Sequence, residues 1–297
     1  MTVAREQSTA PQEKEQSGMA PSHEALPEMV FTPPTGWPGL HLRELWEFRD
    51  LLYFLVWRDI KVRYKQTVLG VAWAVLQPLL TMVVFSIFFG VLARMSSEGM
   101  PYPVFFYAAL VPWNYFAACV RRSSDSLVGS ASLISKVYFP RLILPLASVL
   151  SSLVDFGFAF VMLLILMLFY RMVPTPAILL LPAYLLLAMV TGLGAGLWLS
   201  ALNVRYRDFK FVVPFMVQTW FFVTPVIYPS SLVPGPWHTL YGLNPMVGVV
   251  EGFRQALLST TTTPGPIVWV SALASIILLL SGAYFFRRME HTFADVV

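Results

Sequence analysis

The residues equipped for chemistry are few and scattered. No G-x-x-x-x-G-K-[ST] run occurs, and none of the five lysines follows a glycine, so the chain carries no phosphate-cradling loop of its own. His23, His41, His238 and His291 lack metal-ligand spacing. Cys119 is the single cysteine, with neither a CxxC partner nor an internal disulfide. Nothing resembles a nucleophile elbow or a histidine-based triad. The expectation is no catalytic residue, no metal and no cofactor held by this chain.

Other residue types are more suggestive. Asp155 lies about midway along an apolar run, where a charge costs several kcal/mol and must face protein or water. It reads either as a conformational or ion-linked switch or as a carboxyl bonded to a neighbouring hydroxyl or amide, such as Ser151, Gln218 or Thr219. Two runs carry polar and aromatic residues at helical spacing. Gly70, Trp73, Gln77, Thr81 and Phe85 form one stripe. Pro214, Gln218, Phe221 and Pro225 form another, with Trp220, Phe222 and Tyr228 nearby. Aromatic faces stack on the C–H surfaces of sugars, which suits a glycan path; lipid exposure and helix packing are the alternative.

The elements holding these residues must cross a membrane. Of 297 residues, 57% are hydrophobic and 12% charged, with a mean hydropathy of +0.67. Soluble domains carry about 25% charged residues, so the expectation is an all-α integral membrane protein. Six segments approach the ~20 apolar residues a span needs: 68–93, 103–120, 142–170, 175–202, 210–228 and 266–286. The second is the weakest, being short and interrupted by Pro112 and Asn114, and is expected either to borrow flanking residues or to pack in the protein interior. Of the 20 Lys and Arg, all but Arg94, Arg171 and Arg254 fall in the two termini and in the connections after the second and fourth spans. Cytoplasmic loops collect Lys and Arg, so both termini are expected in the cytosol. The same placement explains the pI of about 9.2 without nucleic acid. Residues 1–38, Pro-rich and polar, are expected to be a disordered cytosolic tail, leaving 39–297 as the transmembrane domain.

Three segments are expected on the membrane rather than across it. Residues 42–65 form an amphipathic interface helix, with Arg43, Glu47, Asp50, Arg58, Lys61 and Lys65 within about one quarter of the wheel and Leu45, Trp46, Leu52, Tyr53, Val56 and Ile60 opposite. Arg49 and Arg63 interrupt the apolar side and can snorkel to the headgroups. Residues 121–139 are polar and Ser-rich, expected as a short surface helix in one or two pieces, with Asp125 a candidate N-cap. Its chemistry suits a gate or a connector equally. After the fifth span, Pro229, Pro234, Pro236 and Pro245 leave two short stretches, about 237–243 and 246–258, read as re-entrant or interfacial helices forming an outer lid.

Four blocks then resemble the ABC-2 type permeases that export polysaccharides: RYKQTVLGVAWAVLQPLLTMVVFSIFFG at 63–90, SKVYFPRLILPLASVLSSLVDF at 135–156, NVRYRDFKFVVPFMVQTWFFVTPVIYP at 203–229 and LNPMVGVVEGFRQALL at 243–258. The similarity runs through roughly 42–290 and is nearest to the O-antigen, capsule and teichoic-acid permeases. It implies a homodimer of six-span subunits, each paired with a separate cytosolic ABC ATPase that binds ATP and magnesium. It also implies a bacterial inner-membrane location and a polyprenyl-linked glycan as cargo, the alternative being the same architecture exporting a drug or a non-glycan lipid. By resemblance, the ATPase contacts lie at 42–65, 121–139 and the connection after the fourth span, with Arg58, Lys61, Arg63, Asp125, Ser126, Lys136, Arg205, Arg207 and Asp208 as coupling candidates. The outer gate spans 229–258, with Trp237, Asn244, Glu251 and Arg254. Trp73, Gln77, Thr81, Phe85, Gln218, Phe221, Phe222 and Tyr228 line the path beside the dimer axis.

Overall fold

The computed structural model describes residues 42–65, 70–174, 176–234, 236–258 and 265–296, and every regular element among them is helical. The expected tail at 1–38 lies outside the described residues. The elements are α1 (Leu42–Glu47), α2 (Arg49–Tyr64), α3 (Gly70–Phe85, continued as a π-helix over Ser86–Leu92), α4 (Tyr102–Gly129), α5 (Ala131–Ile134), α6 (Ile143–Phe169), α7 (Leu181–Arg205, preceded by a 3-10 turn at Pro176–Leu180), α8 (Phe209–Val223), α9 (Pro236–Tyr241), α10 (Pro245–Leu258) and α11 (Pro266–Val296). Five stretches are long and apolar enough to cross a bilayer: Ala72–Leu92, Tyr102–Gly129, Ile143–Phe169, Pro176–Arg205 and Pro266–Glu290.

The weakest expected span is the innermost helix. α4 packs against α3, α6, α7, α8 and α10, and most of its side chains are buried. It passes through Pro112 without a break and continues beyond Val120 to Gly129. Its low apolar score follows from its position: a helix enclosed by protein can carry small and polar residues that lipid would penalise. The separate helix expected at 121–139 is therefore corrected. Residues 121–129 are the last turns of α4, and only Ala131–Ile134 form a helix of their own. Asp125, in the body of α4, is not an N-cap.

The fifth span is corrected in the other direction. α8 ends at Val223 rather than near Tyr228, because Pro225 disfavours helical geometry at the residue before it; Thr224 is extended, with ψ 142°. Fifteen residues rise only about 22 Å, short of the ~30 Å hydrocarbon core. The interface helix also divides: α1 and α2 meet at Phe48, where ψ is 19°. Its apolar residues face two ways. Leu45, Leu52, Leu55 and Val56 pack into a small core with Leu127, Phe139, Ile143, Leu197, Phe286 and Phe293. Trp46, Tyr53, Phe54 and Trp57 remain exposed.

Glycines set how closely α7 packs. A Cβ at Gly194 would lie 2.7 Å from the Leu279 nitrogen, one at Gly282 2.5 Å from the Gly194 oxygen, and one at Gly196 2.5 Å from the Ser123 Cβ. Small residues permit such backbone approach where lipid supplies no hydrophobic drive between helices. Gly194→Ala should therefore cost about 1–3 kcal/mol through overpacking against backbone that cannot give way. Gly157→Ala on α6, where a Cβ meets nothing within 4 Å, should be neutral or stabilising. Thermal midpoints of the two detergent-solubilised variants check this, and equal midpoints would contradict it.

Candidate functional site

At the α2 end of the bundle, one carboxylate joins three helices. Arg63 of α2 donates from Nη1 to Asp155 Oδ2 at 2.6 Å, and Arg122 of α4 donates from Nη2 to the same oxygen at 2.6 Å. Arg122 Nη1 also reaches Ser152 Oγ at 2.8 Å, and the Tyr64 hydroxyl donates to Asp155 Oδ1. A hydroxyl partner is thus present, but the three residues named for that role are corrected: Ser151 bonds the Ser148 carbonyl, while Gln218 and Thr219 are exposed on α8. Two guanidiniums reach Asp155 because α4 extends past Val120 and because Arg63 turns inward instead of snorkelling. Burial, and then the hydrogen bond to Asp155, push the Tyr64 phenol up to about 12. Tyr64 therefore remains a donor throughout the physiological pH range.

Beside this cluster a cavity of about 480 Å³ opens between α2, α4 and α6, lined by Arg58, Asp59, Arg63, Arg122, Asp125 and Ser126 among others. Arg58 is paired with Asp59 at 2.9 Å. Asn203 of α7 donates to Asp125 Oδ1 at 3.2 Å and to the Ser124 carbonyl at 3.0 Å, tying the end of α7 to the same wall. Four coupling candidates thus converge: Arg58, Arg63, Asp125 and Ser126. Lys61 lies elsewhere, 5.4 Å over the Trp57 ring. Lys136 is exposed after α5, Arg205 is exposed at the end of α7, and Arg207 and Asp208 are exposed between α7 and α8.

At the opposite end, α8 is pinned to the α9–α10 pair. Trp220 Nε1 donates to Asn244 Oδ1 at 2.8 Å, and Asn244 Nδ2 donates to Thr224 Oγ1 at 3.0 Å. The Tyr228 and Tyr241 hydroxyls are 2.9 Å apart, and Tyr241 donates to the Val223 carbonyl at 2.7 Å. Arg254 is 1% exposed, with Glu251 3.3 Å away. Trp237 is exposed on α9.

The two stripes divide between surface and interior. Trp73, Gln77, Gln218 and Phe222 are exposed, and Thr81 Oγ1 bonds the Gln77 carbonyl. Phe85 is part-buried, stacked on Phe106 at 5.0 Å and edge-on to Phe221 at 5.9 Å; Phe221 in turn meets Trp113 at 5.6 Å. Phe85 and Phe221 therefore pack on one another and on neighbouring rings within one subunit. Sequence reasoning missed Arg122 and Tyr64 as partners of Asp155. The topology rule accounts for Arg122 as a loop cation, although its place between five and six turns along a continuous helix is what lets it reach α6. Among the described residues, no group of three His, Cys, Asp or Glu side chains is arranged to hold a metal.

Comparisons with known proteins agree with this architecture. The family model for the ABC-2 type transporter matches residues 50–258. The O-antigen export system permease protein RfbA of Myxococcus xanthus is 30% identical over 258 residues, covering 86% of this chain and 98% of that protein. The protein of the same name from Klebsiella pneumoniae is 27% identical, over 84% of this chain and 95% of the relative. The polysialic acid transport protein KpsM of Escherichia coli is 22% identical over 78% and 91%. With its multi-pass helical bundle and a family match over more than half its length, the chain belongs to the ABC-2 type transporter family.

Proposed function

We propose that this protein is the membrane subunit of an ATP-driven exporter that moves a lipid-linked polysaccharide, foremost O-antigen, across the bacterial inner membrane. The observation carrying this is the similarity to O-antigen export permeases over nearly their whole length. A capsule-type glycan is the second reading, favoured by the weaker match to the polysialic acid protein. The chain acts as a homodimer with two copies of a cytosolic ABC ATPase and performs no bond chemistry itself. ATP closes the partner subunits, and differential binding between states moves the helices.

In this reading there are six spans, α8 being the fifth, completed by the buried turn that follows it. Both termini are cytosolic. The α2–α4–α6 cavity and the exposed Arg205–Asp208 connection receive the ATPase, α9 and α10 form the outer gate, and exposed Trp73, Gln77, Gln218 and Phe222 face the glycan. Weak, repeated contacts suit a passing sugar chain, and amides exchange hydrogen bonds with hydroxyls as water does.

Cysteines introduced in a Cys119→Ala background at Ala294 should react only from the cytosol, and one at Ser231 only from outside. Labelling of the Ala294 site from outside contradicts the six-span arrangement. Inverting Arg205 and Arg207 to Glu should leave membrane insertion intact while reducing capture of the ABC ATPase and its stimulated hydrolysis. Undiminished capture and hydrolysis would leave these arginines as topology determinants alone.

A further inference from the structure

The chain between α8 and the short turn at Ser230–Leu232 is buried yet not helical. Thr224, Val226, Ile227 and Ser230 are all under 8% exposed. Backbone carbonyls in such a segment have no helical partners, and in a membrane protein they must be satisfied by the protein itself. Side chains from two other helices do this in succession. Arg254 Nη2 donates to the Val226 carbonyl at 2.8 Å, the Tyr102 hydroxyl to the Ile227 carbonyl at 2.8 Å, and Arg254 Nη1 to the Tyr228 carbonyl at 3.2 Å.

The same guanidinium extends in two further directions. Its Nε donates to the Phe105 carbonyl at 3.4 Å, and its central carbon lies 3.7 Å from the centroid of the Phe105 ring. Glu251, one helical turn earlier, balances the charge at 3.3 Å, and its Oε1 accepts the Ser230 backbone N–H at 3.4 Å. One planar fork on α10 thus binds both ends of a three-residue turn and the body of α4. A lysine carries the charge but cannot serve two carbonyls and stack on a ring.

We infer that Arg254 is a positioning residue that makes the turn after α8, the helix α10 and the outer part of α4 one rigid piece. Movement of α8 is then passed to the α9–α10 pair instead of being absorbed by the turn. The functional half of this inference rests on the exporter reading; the structural half does not.

Arg254→Lys, made in the full chain and reconstituted with its ABC ATPase in nanodiscs, tests both. The dimer and its ATP hydrolysis should persist. Amide hydrogen exchange over residues 224–230 should rise roughly tenfold or more, as expected when side-chain bonds to buried carbonyls are lost. Glycan exported per ATP hydrolysed should fall roughly tenfold, a split that a general loss of stability does not produce. Unchanged exchange at 224–230, or unchanged export per ATP, overturns the inference. If Arg254→Lys fails to assemble, Arg254→Gln, a neutral side chain too short to serve both carbonyls, decides by the same two readouts. If the wild-type complex moves no glycan, the exporter reading fails, and hydrogen exchange alone then decides the positioning role.

Discussion

Asp155→Asn should be the most damaging single change at the α2 end of the protein. It leaves Arg63 and Arg122 facing each other without the carboxylate that both use. Removing one partner of a buried ion pair costs about 3–5 kcal/mol, because the remaining charge stays desolvated. The side chains here are between 23% and 32% exposed, so solvent screening brings the expected loss nearer about 2 kcal/mol. The effect should centre on α2, the helix held by Arg63 and Tyr64, and appear as faster amide exchange in Arg49–Tyr64 and a lower thermal midpoint. A cycle with Arg122→Gln distinguishes this from a general defect. Asn at 155 should be tolerated better when Arg122 is neutral than when it is charged, since the double change removes repulsion as well as attraction. Additive losses would show that the carboxylate does not join α2 to α4. Tyr64→Phe, losing one donor, should cost only about 1 kcal/mol.

Phe85→Ala and Phe221→Ala should each lower dimer yield and export together. Each ring is part of one intrasubunit cluster with Phe106 and Trp113. Truncating a packed Phe costs about 3–5 kcal/mol in a well-ordered core; their partial exposure moves these two toward the lower figure. Trp73→Ala and Gln218→Ala remove exposed side chains and should reduce export while yield is preserved. Export and solubilised dimer yield measured on all four variants make the comparison. Normal yield with lost export for Phe85→Ala would return that ring to the glycan path, and normal export in every variant, singly and paired, would remove the path from this face.

The apolar runs of α6 and α7 were legible to within a few residues, because both are long and continuously apolar and composition alone marks such helices. α4 was legible as a span that could pack in the interior, but its extension to Gly129 was not. Protein surrounds it, so its polar residues and Pro112 are accommodated by neighbours that no window of sequence contains. The short helices after α8 were legible from their prolines, but the role of Arg254 was not. Its target is a row of backbone carbonyls, and backbone carries no residue signature. Asp155 was conspicuous as a cost, yet its partners lie on helices distant in sequence, and Arg122 carried a second, sufficient explanation in the topology rule.

The most direct test of export is to delete the gene in its own cell and follow the lipid-linked glycan. The account predicts that surface polysaccharide on intact cells falls to background while lipid-linked glycan accumulates on the cytosolic side of the inner membrane. The wild-type gene should restore surface display only when its ABC ATPase is present and able to hydrolyse ATP. Undiminished surface polysaccharide in the deletion strain, with no internal accumulation, would contradict it.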